Sequence, residues 1–372
     1  MLYELFRWLN EAHGFPYLVR YPSFRMAAAF VTAFLACLLV GPRFLAMLGR
    51  RRLGENVAKM GDERRAIVPE GKAGTPTMGG ILTFGAIFGA SVLWARLDVP
   101  IVILALVVFV VATAIGYLDD HVKQHHATKH GINGKLKLAL LSLLVIAVAI
   151  TLREFVWAPG STHGGDEIEV LLLPFAKDLS LPLGGIAFCG LAWLVICGSA
   201  NAVNLTDGMD GLAAGCLAIT GIALTVACNV VGTEELASRF FVRYVPGCLE
   251  LAVVVAGLVG AALGFLWFNA APAQVFMGDV GSLGFGALLG YTAFASRMEL
   301  LLVVAGGVFV AEAMSVILQV ASFKLRGKRI FRCAPIHHAF QLNGTPETRI
   351  VVRFWIIGVL LAVLSVALFK VR

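Results

Sequence analysis

The amino-acid sequence predicts an all-α, polytopic integral membrane protein that forms a single domain over residues 1–372. The first observation behind this prediction is composition: 59% of the 372 residues are hydrophobic, 14% are charged, and the mean hydropathy is +0.86. A soluble domain is closer to half apolar and a quarter charged. The second observation is the length of the apolar stretches, and the third is the distribution of basic residues between them.

The apolar stretches predict about ten transmembrane helices. Crossing a hydrocarbon core about 30 Å thick takes roughly 20 apolar residues in a helix. The predicted spans lie near 24–48, 77–95, 100–118, 136–152, 185–203, 211–231, 249–268, 282–296, 300–322 and 351–369. Pro42 is expected to kink or end the first helix. Strands are not expected in the membrane, because open sheet edges cannot face lipid, but the short apolar run 170–173 between two spans could form a hairpin or an interfacial piece.

Basic residues are concentrated in alternate loops, which predicts the orientation of the chain. The loops near 43–76, 119–137, 204–210, 269–281 and 323–353 carry 19 of the 30 Lys and Arg residues. Cytoplasmic loops are enriched in these residues, so we place this set in the cytoplasm and both termini in the periplasm. The asymmetry accounts for the net charge of +7 without a nucleic-acid partner, and a basic face attracts anionic lipid headgroups and phosphorylated substrates.

Five aspartates lie at predicted helix–loop junctions on the cytoplasmic side. They are Asp119, Asp120, Asp207, Asp210 and Asp279. Chance would scatter such residues over both sides of the membrane. We therefore predict that loops far apart in sequence bring carboxylates together at one membrane surface.

The first acidic pair, Asp119 and Asp120, is followed by Lys123 at the end of the third predicted span. If the helix continues for one turn, Asp119 and Lys123 share a face at a spacing of four residues. Hard oxygen ligands beside an ammonium group suit Mg²⁺ together with a diphosphate. The alternative is a solvated helix end with a local ion pair.

The second cluster combines Asn204, Asp207 and Asp210, which recur at every third residue, so that a helical turn would put them on one side. Gly208 lets a ligand approach the backbone closely. Polar groups near the membrane boundary are costly unless they are paired. The alternative is a polar turn between two helices.

Two further clusters lie later in the chain. Asp279 is flanked by glycines just before a predicted helix and follows Phe276. It could ligate a metal ion, with Phe276 stacking on a base, or it could cap the helix. His337 and His338 follow a basic stretch and could bind phosphate, donate protons or have no role.

Two weaker signals remain. The segment 72–80 holds Lys72 and Thr77 and reads as a glycine-rich helix start suited to an anion, but it lacks the Walker-A order, which excludes an ATP P-loop. In the ninth predicted span, Glu312 and Gln319 lie two turns apart. Glu312 could pair with another helix, contact a second protomer or act in function.

In these motifs the chain resembles the phospho-N-acetylmuramoyl-pentapeptide transferase family, within the superfamily of polyprenyl-phosphate N-acetylhexosamine-1-phosphate transferases. The similarity runs over essentially the whole chain, with many motifs in order. They are the segments 74–80, Asp119-Asp120-x-x-Lys123, 201–211, 265–269, 276–282, 323–327 and 334–338.

The resemblance implies ten transmembrane helices, often a homodimer, in the inner membrane of bacteria with a cytoplasmic active site. It implies that UDP-N-acetylmuramoyl-pentapeptide and undecaprenyl phosphate react to give lipid I and UMP, the first membrane step of peptidoglycan synthesis. Carried over by motif, Asp279 binds Mg²⁺, and Asp119 and Asp120 complete the acidic centre with His337 and Lys123. Motif positions that correspond to substrate binding are Lys72, Thr77, Asn204, Asp207, Gly208, Met209, Asp210, Asn269, Phe276, Gln319 and His338.

One departure from the family pattern affects the histidine motif. The family usually has three histidines and then an acid two residues later, whereas Ala339 takes the third histidine position here and Gln341 the acid position. This puts a role for the third imidazole in doubt, while the first two histidines are intact.

The mechanism expected from these residues is a single displacement, in which the lipid phosphate attacks the β-phosphorus and UMP leaves. A covalent aspartyl-phosphate is the alternative route. The alternative donor is UDP-GlcNAc. A secondary transporter is a distant alternative, because transporter sites usually lie near the bilayer midplane between inverted repeats, and a noncatalytic lipid-binding scaffold does not need five aspartates.

Overall fold

The computed structural model describes residues 2–13, 18–50, 74–125, 131–157, 170–172 and 180–368. These residues form fourteen α-helices and one two-stranded hairpin. The helices are α1 (Leu2–His13), α2 (Pro22–Arg50), α3 (Gly80–Trp94), α4 (Pro100–His125), α5 (Gly134–Thr151), α6 (Gly185–Thr206), α7 (Leu212–Val231), α8 (Glu234–Arg239), α9 (Cys248–Asn269), α10 (Gly278–Ala295), α11 (Glu299–Ala305), α12 (Gly307–Arg326), α13 (Ile336–Leu342) and α14 (Glu347–Ala367). The strands are β1 (Val170–Leu172) and β2 (Ser180–Pro182).

The all-α, polytopic class predicted from the sequence is confirmed. Eight helices in the described part of the chain are long and apolar enough to cross a membrane: α2, α4, α5, α6, α7, α9, α12 and α14. Two further predicted spans correspond to α3, with 15 residues, and α10, with 18. At 1.5 Å per residue, α3 is shorter than a hydrocarbon core of about 30 Å. The total of ten spans and the location of the termini therefore remain predictions.

Three local expectations have different outcomes. The ninth span, predicted as one helix over 300–322, is wrong in detail, because α11 and α12 are separate helices that meet at Gly306. Pro42 does not end the first helix, since α2 continues through it to Arg50. The hairpin alternative for the run 170–173 is confirmed where the chain is described, because β1 pairs antiparallel with β2, Val170 opposite Pro182.

The centre of the bundle is built from α9 and α10, in which nearly every side chain is buried. Helix α9 packs against α2 and α7, and α10 packs against α4 and α6. Small residues on these helices let the backbones approach closely. As a result, the end of α4, the end of α6 and the start of α10 meet at the same end of the bundle.

Candidate active site

The site is assembled around a close crossing of α4 and α10. A Cβ atom at Gly116 of α4 would lie only 2.1 Å from the carbonyl oxygen of Asp279 in α10. Glycine is therefore required for the two backbones to touch at this point. Asp119 and Asp120 come one turn after Gly116, so the crossing brings their side chains beside Asp279.

The carboxylates of Asp119, Asp120 and Asp279 form a single acidic centre, with one oxygen from each lying within 4.8 Å of the others. Asp119 and Asp120 are buried, and Asp279 is partly exposed. Asp119 Oδ1 accepts a hydrogen bond from the backbone N–H of Ile132 at 2.7 Å, and Asp120 Oδ2 accepts one from Val280 at 3.0 Å. Aspartates separated by about 160 residues thus meet in space, as the sequence predicts.

Two lysines bridge the acidic centre. Lys123 Nζ lies 2.6 Å from Asp119 Oδ2 and 3.0 Å from Asp279 Oδ2. Lys137 Nζ, from the first turn of α5, lies 2.5 Å from Asp279 Oδ2 and 3.3 Å from Asp119 Oδ2. The spacing argument finds Lys123 but misses Lys137. A signal was present, because a lysine near the positive N-terminal end of an apolar helix is unfavourable without an anionic partner.

The charges of this cluster suit a divalent cation and a phosphorylated ligand. When all five groups are ionised, three carboxylates against two ammonium groups leave one net negative charge. Closely grouped carboxylate oxygens are the hard donors that Mg²⁺ and similar cations prefer. The donor set of Asp119, Asp120 and Asp279 therefore fits such an ion, while Lys123 and Lys137 are long enough to turn towards phosphate oxygens instead.

Asn204 connects the second predicted cluster to the acidic centre. Its Nδ2 donates hydrogen bonds to Asp279 Oδ1 and to Ser282 Oγ, both at 2.8 Å. Helix α6 ends two residues later, at Thr206, and Asp207 is its C-terminal cap. The periodic face predicted for Asn204, Asp207 and Asp210 is therefore wrong, because the helix ends before it can include the last of them.

Asp210 and Asn269 instead tie the loop after α6 to the loop before α10. Asp210 Oδ2 accepts a hydrogen bond from the backbone of Ala273 at 3.0 Å. Asn269 Oδ1 accepts from Gly211 at 3.0 Å, while its Nδ2 donates to Val275 O at 2.8 Å. These contacts shape the loops that border the site. Direct binding of substrate by Asp210 and Asn269 remains a prediction.

Two other predicted binding residues in the loop after α6 have different surroundings. Met209 is buried and belongs to the apolar core. The backbone of Gly208 lies against the ring of His337, since a Cβ there would be 2.4 Å from His337 Nε2. Gly208 thus joins this loop to the histidine motif, whereas the side chain of Met209 packs into the apolar core.

The glycine-rich segment before α3 pairs with the segment that leads into α10. The backbone N–H of Phe276 donates to Pro76 O at 2.8 Å, and Gly79 N–H donates to Phe276 O at 2.9 Å. Thr77 Oγ1 and Asp120 Oδ2 both border Gly278, at 3.1 and 2.5 Å from where its Cβ would stand. The segment therefore reaches the acidic centre, and Lys72 lies outside the described residues.

The chain after α12 folds back along that helix. Ser322 Oγ donates to Lys328 O at 2.9 Å. One turn earlier, Gln319 Oε1 accepts hydrogen bonds from the N–H groups of Ile330 and Phe331, and Gln319 Nε2 donates to Phe331 O at 2.9 Å. The amide of Gln319 is thus engaged with the returning backbone, and contact with a nucleotide remains a prediction.

The two histidines follow this fold-back, at the start of α13. His337 is fully buried, with Nδ1 3.1 Å from Glu312 Oε2 of α12. His338 is half-buried, and its Nδ1 lies 3.1 Å from Gln341 Oε1. The residue at the family's acid position thus contacts the second histidine, and the two imidazole rings are adjacent, with centroids 4.2 Å apart.

Comparison with known families gives two matches. The model of glycosyl transferase family 4 matches residues 102–297. The model described as phospho-N-acetylmuramoyl-pentapeptide-transferase signature 1 matches residues 72–82. The first match contains the three aspartates of the acidic centre and both lysines, and the second contains the glycine-rich segment that pairs with Phe276.

Proposed function

We propose a mechanism for this chain, which belongs to glycosyl transferase family 4. The model of that family covers more than half of the length of the chain. The resemblance inferred from the sequence motifs is confirmed by this match and by the pentapeptide-transferase signature. The chain is thus a multi-pass membrane transferase that moves phospho-N-acetylmuramoyl-pentapeptide from a nucleotide carrier to a lipid phosphate.

The finer assignments are part of the proposal. The donor is UDP-N-acetylmuramoyl-pentapeptide, the acceptor is undecaprenyl phosphate, and the products are lipid I and UMP. The enzyme works in the bacterial inner membrane as a homodimer, with its site on the cytoplasmic face. The excess of Lys and Arg in the loops predicted on the same side as the acidic centre supports this orientation.

The observation that carries the mechanism is the bridging of Asp119 and Asp279 by Lys123 and Lys137. A lipid phosphate and a nucleotide diphosphate repel each other, so the site must first neutralise charge. Mg²⁺ held by Asp279, with Asp119 and Asp120, would supply positive charge against the diphosphate. Lys123 and Lys137 would then be released from part of their pairing with the carboxylates and would contact phosphate oxygens.

The chemical step is an in-line displacement at the β-phosphorus of the donor. A phosphate monoester has a second pKa of about 6, so the lipid phosphate is already largely dianionic at neutral pH. Asp119 orients this nucleophile and takes up its remaining proton where one is present. A new bond forms between the lipid phosphate oxygen and the β-phosphorus as the bond to the UMP oxygen breaks, and His337 completes the centre as a proton donor or phosphate ligand.

The nucleotide is proposed to lie between the loop after α6 and the segment before α10. Asn204 and Asp207 face the ribose and diphosphate region, and Thr77 stands beside Asp120. The uridine pocket is proposed to comprise Lys72, Gly208, Met209, Asp210 and Phe276, with Gln319 and His338 flanking the nucleotide. Asn269 is proposed as a further substrate-binding residue. The hydrogen bond from Asn204 to Asp279 supports a direct connection between this pocket and the acidic centre.

A donor comparison with purified protein tests the proposal. The protein is mixed with undecaprenyl phosphate and MgCl₂, and either UDP-N-acetylmuramoyl-pentapeptide or UDP-GlcNAc is added. We expect UMP and a lipid-linked product with the first donor only. Equal or greater turnover of UDP-GlcNAc would contradict the assignment of UDP-N-acetylmuramoyl-pentapeptide as the donor. Substrate uptake into vesicles without UMP release would instead favour a transporter.

A further inference from the structure

We infer that Glu312 is a positioning residue that holds the imidazole of His337 in its working orientation. This inference rests on the role proposed above for His337 in the acidic centre. Glu312 lies in the interior of α12, outside the family match at 102–297 and outside the signature. Its carboxylate plays no part in the mechanism described so far.

The carboxylate and the ring are enclosed together. Both side chains are fully buried, at 0% exposure, and Glu312 Oε2 lies 3.1 Å from His337 Nδ1. The geometry is a close approach rather than an aligned hydrogen bond, and no described residue donates a hydrogen bond to either oxygen of Glu312. An isolated buried carboxylate is strongly unfavourable, so His337 is the partner that makes this position tolerable.

The segment after α12 folds back along that helix and places His337 beside Glu312. The contacts of Ser322 with Lys328 and of Gln319 with Phe331 pin the segment after α12 against that helix in antiparallel order. His337 then lies beside Glu312, two further turns along α12 from Gln319. The pairing of these two residues is therefore built by the same fold-back that forms the last loop.

The other edge of the ring faces the loop after α6. His337 Nε2 borders the backbone of Gly208, which follows the helix that carries Asn204. Asn204 in turn donates to Asp279 of the acidic centre. A carboxylate packed beside one imidazole nitrogen favours a proton on that nitrogen, which leaves the other nitrogen for function. Glu312 on Nδ1 thus directs Nε2 towards the loop that borders the acidic centre.

A double-mutant cycle on the full-length protein tests this inference. The variants are Glu312→Gln, His337→Asn and their combination, assayed by UMP release. If Glu312 acts through His337, E312Q lowers kcat by about 100-fold, near the lower end of what a positioned acid–base group contributes. The KM for the nucleotide donor changes little, and E312Q causes no further loss when His337 is already Asn.

Two further variants separate positioning from a merely structural role. Glu312→Asp keeps the carboxyl group and should retain part of the kcat that E312Q loses. Ser315→Ala is the matched control, because Ser315 is buried on the same helix and its Oγ donates to the carbonyl oxygen of Glu312 at 2.7 Å. S315A should leave kcat near the unmodified value. If E312Q does not fold, the cycle is run with E312D, which keeps the carboxyl group.

Several outcomes would overturn the inference. Equal losses from E312Q in the presence and absence of His337 would mean that Glu312 acts independently. Full activity of H337N would remove both the role of His337 and the inference, while the transferase function would stand. Absence of UMP release from the unmodified protein would instead count against the proposed function itself.

Discussion

Lys137 Nζ lies 2.5 Å from Asp279 Oδ2, although the two residues are 142 positions apart in the chain. The same ammonium group lies 3.3 Å from Asp119 Oδ2. Lys137 therefore joins α5 to both of the helices whose crossing forms the acidic centre. Since the loop before α5 also donates a backbone hydrogen bond to Asp119, this part of the chain forms one wall of the proposed site.

Replacing Lys137 by Met tests whether the ammonium group of Lys137 takes part in catalysis. We expect turnover to fall by about 100-fold or more, as for removal of one preorganised charge-stabilising donor, because the phosphate charge that develops in the displacement loses a cation. Lys135→Met is the matched control, since Lys135 is exposed and two residues away in the same helix. UMP release by the two purified variants is measured. Similar turnover in both would exclude a catalytic role for Lys137.

Replacing Asp279 by Asn tests the metal assignment. The substitution removes one anionic ligand, so we expect the Mg²⁺ concentration for half-maximal activity to rise by at least about tenfold and kcat to fall by orders of magnitude. Chelation by EDTA should abolish activity of the unmodified protein, and added Mg²⁺ should restore it. Asp98→Asn, on an exposed loop where Asp98 pairs with Arg96, should leave the Mg²⁺ dependence unchanged. Activity that survives EDTA would reject metal dependence.

The sequence predicts the spans and the acidic centre because these depend on strong, local signals. Apolar length predicts the helices, and the distribution of basic residues among the loops predicts that Asp119 and Asp279 lie on one side of the membrane. Lys137 was missed because its partner is set by the crossing of helices, which no local spacing encodes. The sequence does not predict the fold-back that brings His337 to Glu312 for the same reason, since the segment before His337 is only a basic stretch in the sequence and its contacts with Gln319 depend on the fold.

Replacing Gly116 by Ala tests whether the helix crossing sets the site. The new Cβ would stand 2.1 Å from the backbone carbonyl oxygen of Asp279, and backbone cannot rotate away as a side chain can. Overpacking of this kind costs about 1–3 kcal/mol or more, so we expect a lower unfolding temperature and a large loss of turnover. Gly89→Ala on α3 is the control, because nothing lies within 4 Å of its added Cβ. Thermal unfolding followed by size-exclusion chromatography and UMP release are measured. Equal behaviour of the two variants would contradict the close crossing.

Replacing Gln341 tests how this chain compensates for the departure in its histidine motif. Gln341 Oε1 lies 3.1 Å from His338 Nδ1, so a neutral amide oxygen can accept from the imidazole where the family usually has an acid. Gln341→Glu preserves an acceptor and should retain activity, whereas Gln341→Ala removes it. Loss of one such hydrogen bond is worth about 0.5–1.5 kcal/mol, so we expect Q341A to raise the KM for the nucleotide by about two- to thirteenfold. Asn343→Ala, at the exposed end of the same helix where Asn343 accepts from Arg332, should leave KM unchanged. If Q341A matched N343A, the contact between Gln341 and His338 would have no part in nucleotide binding.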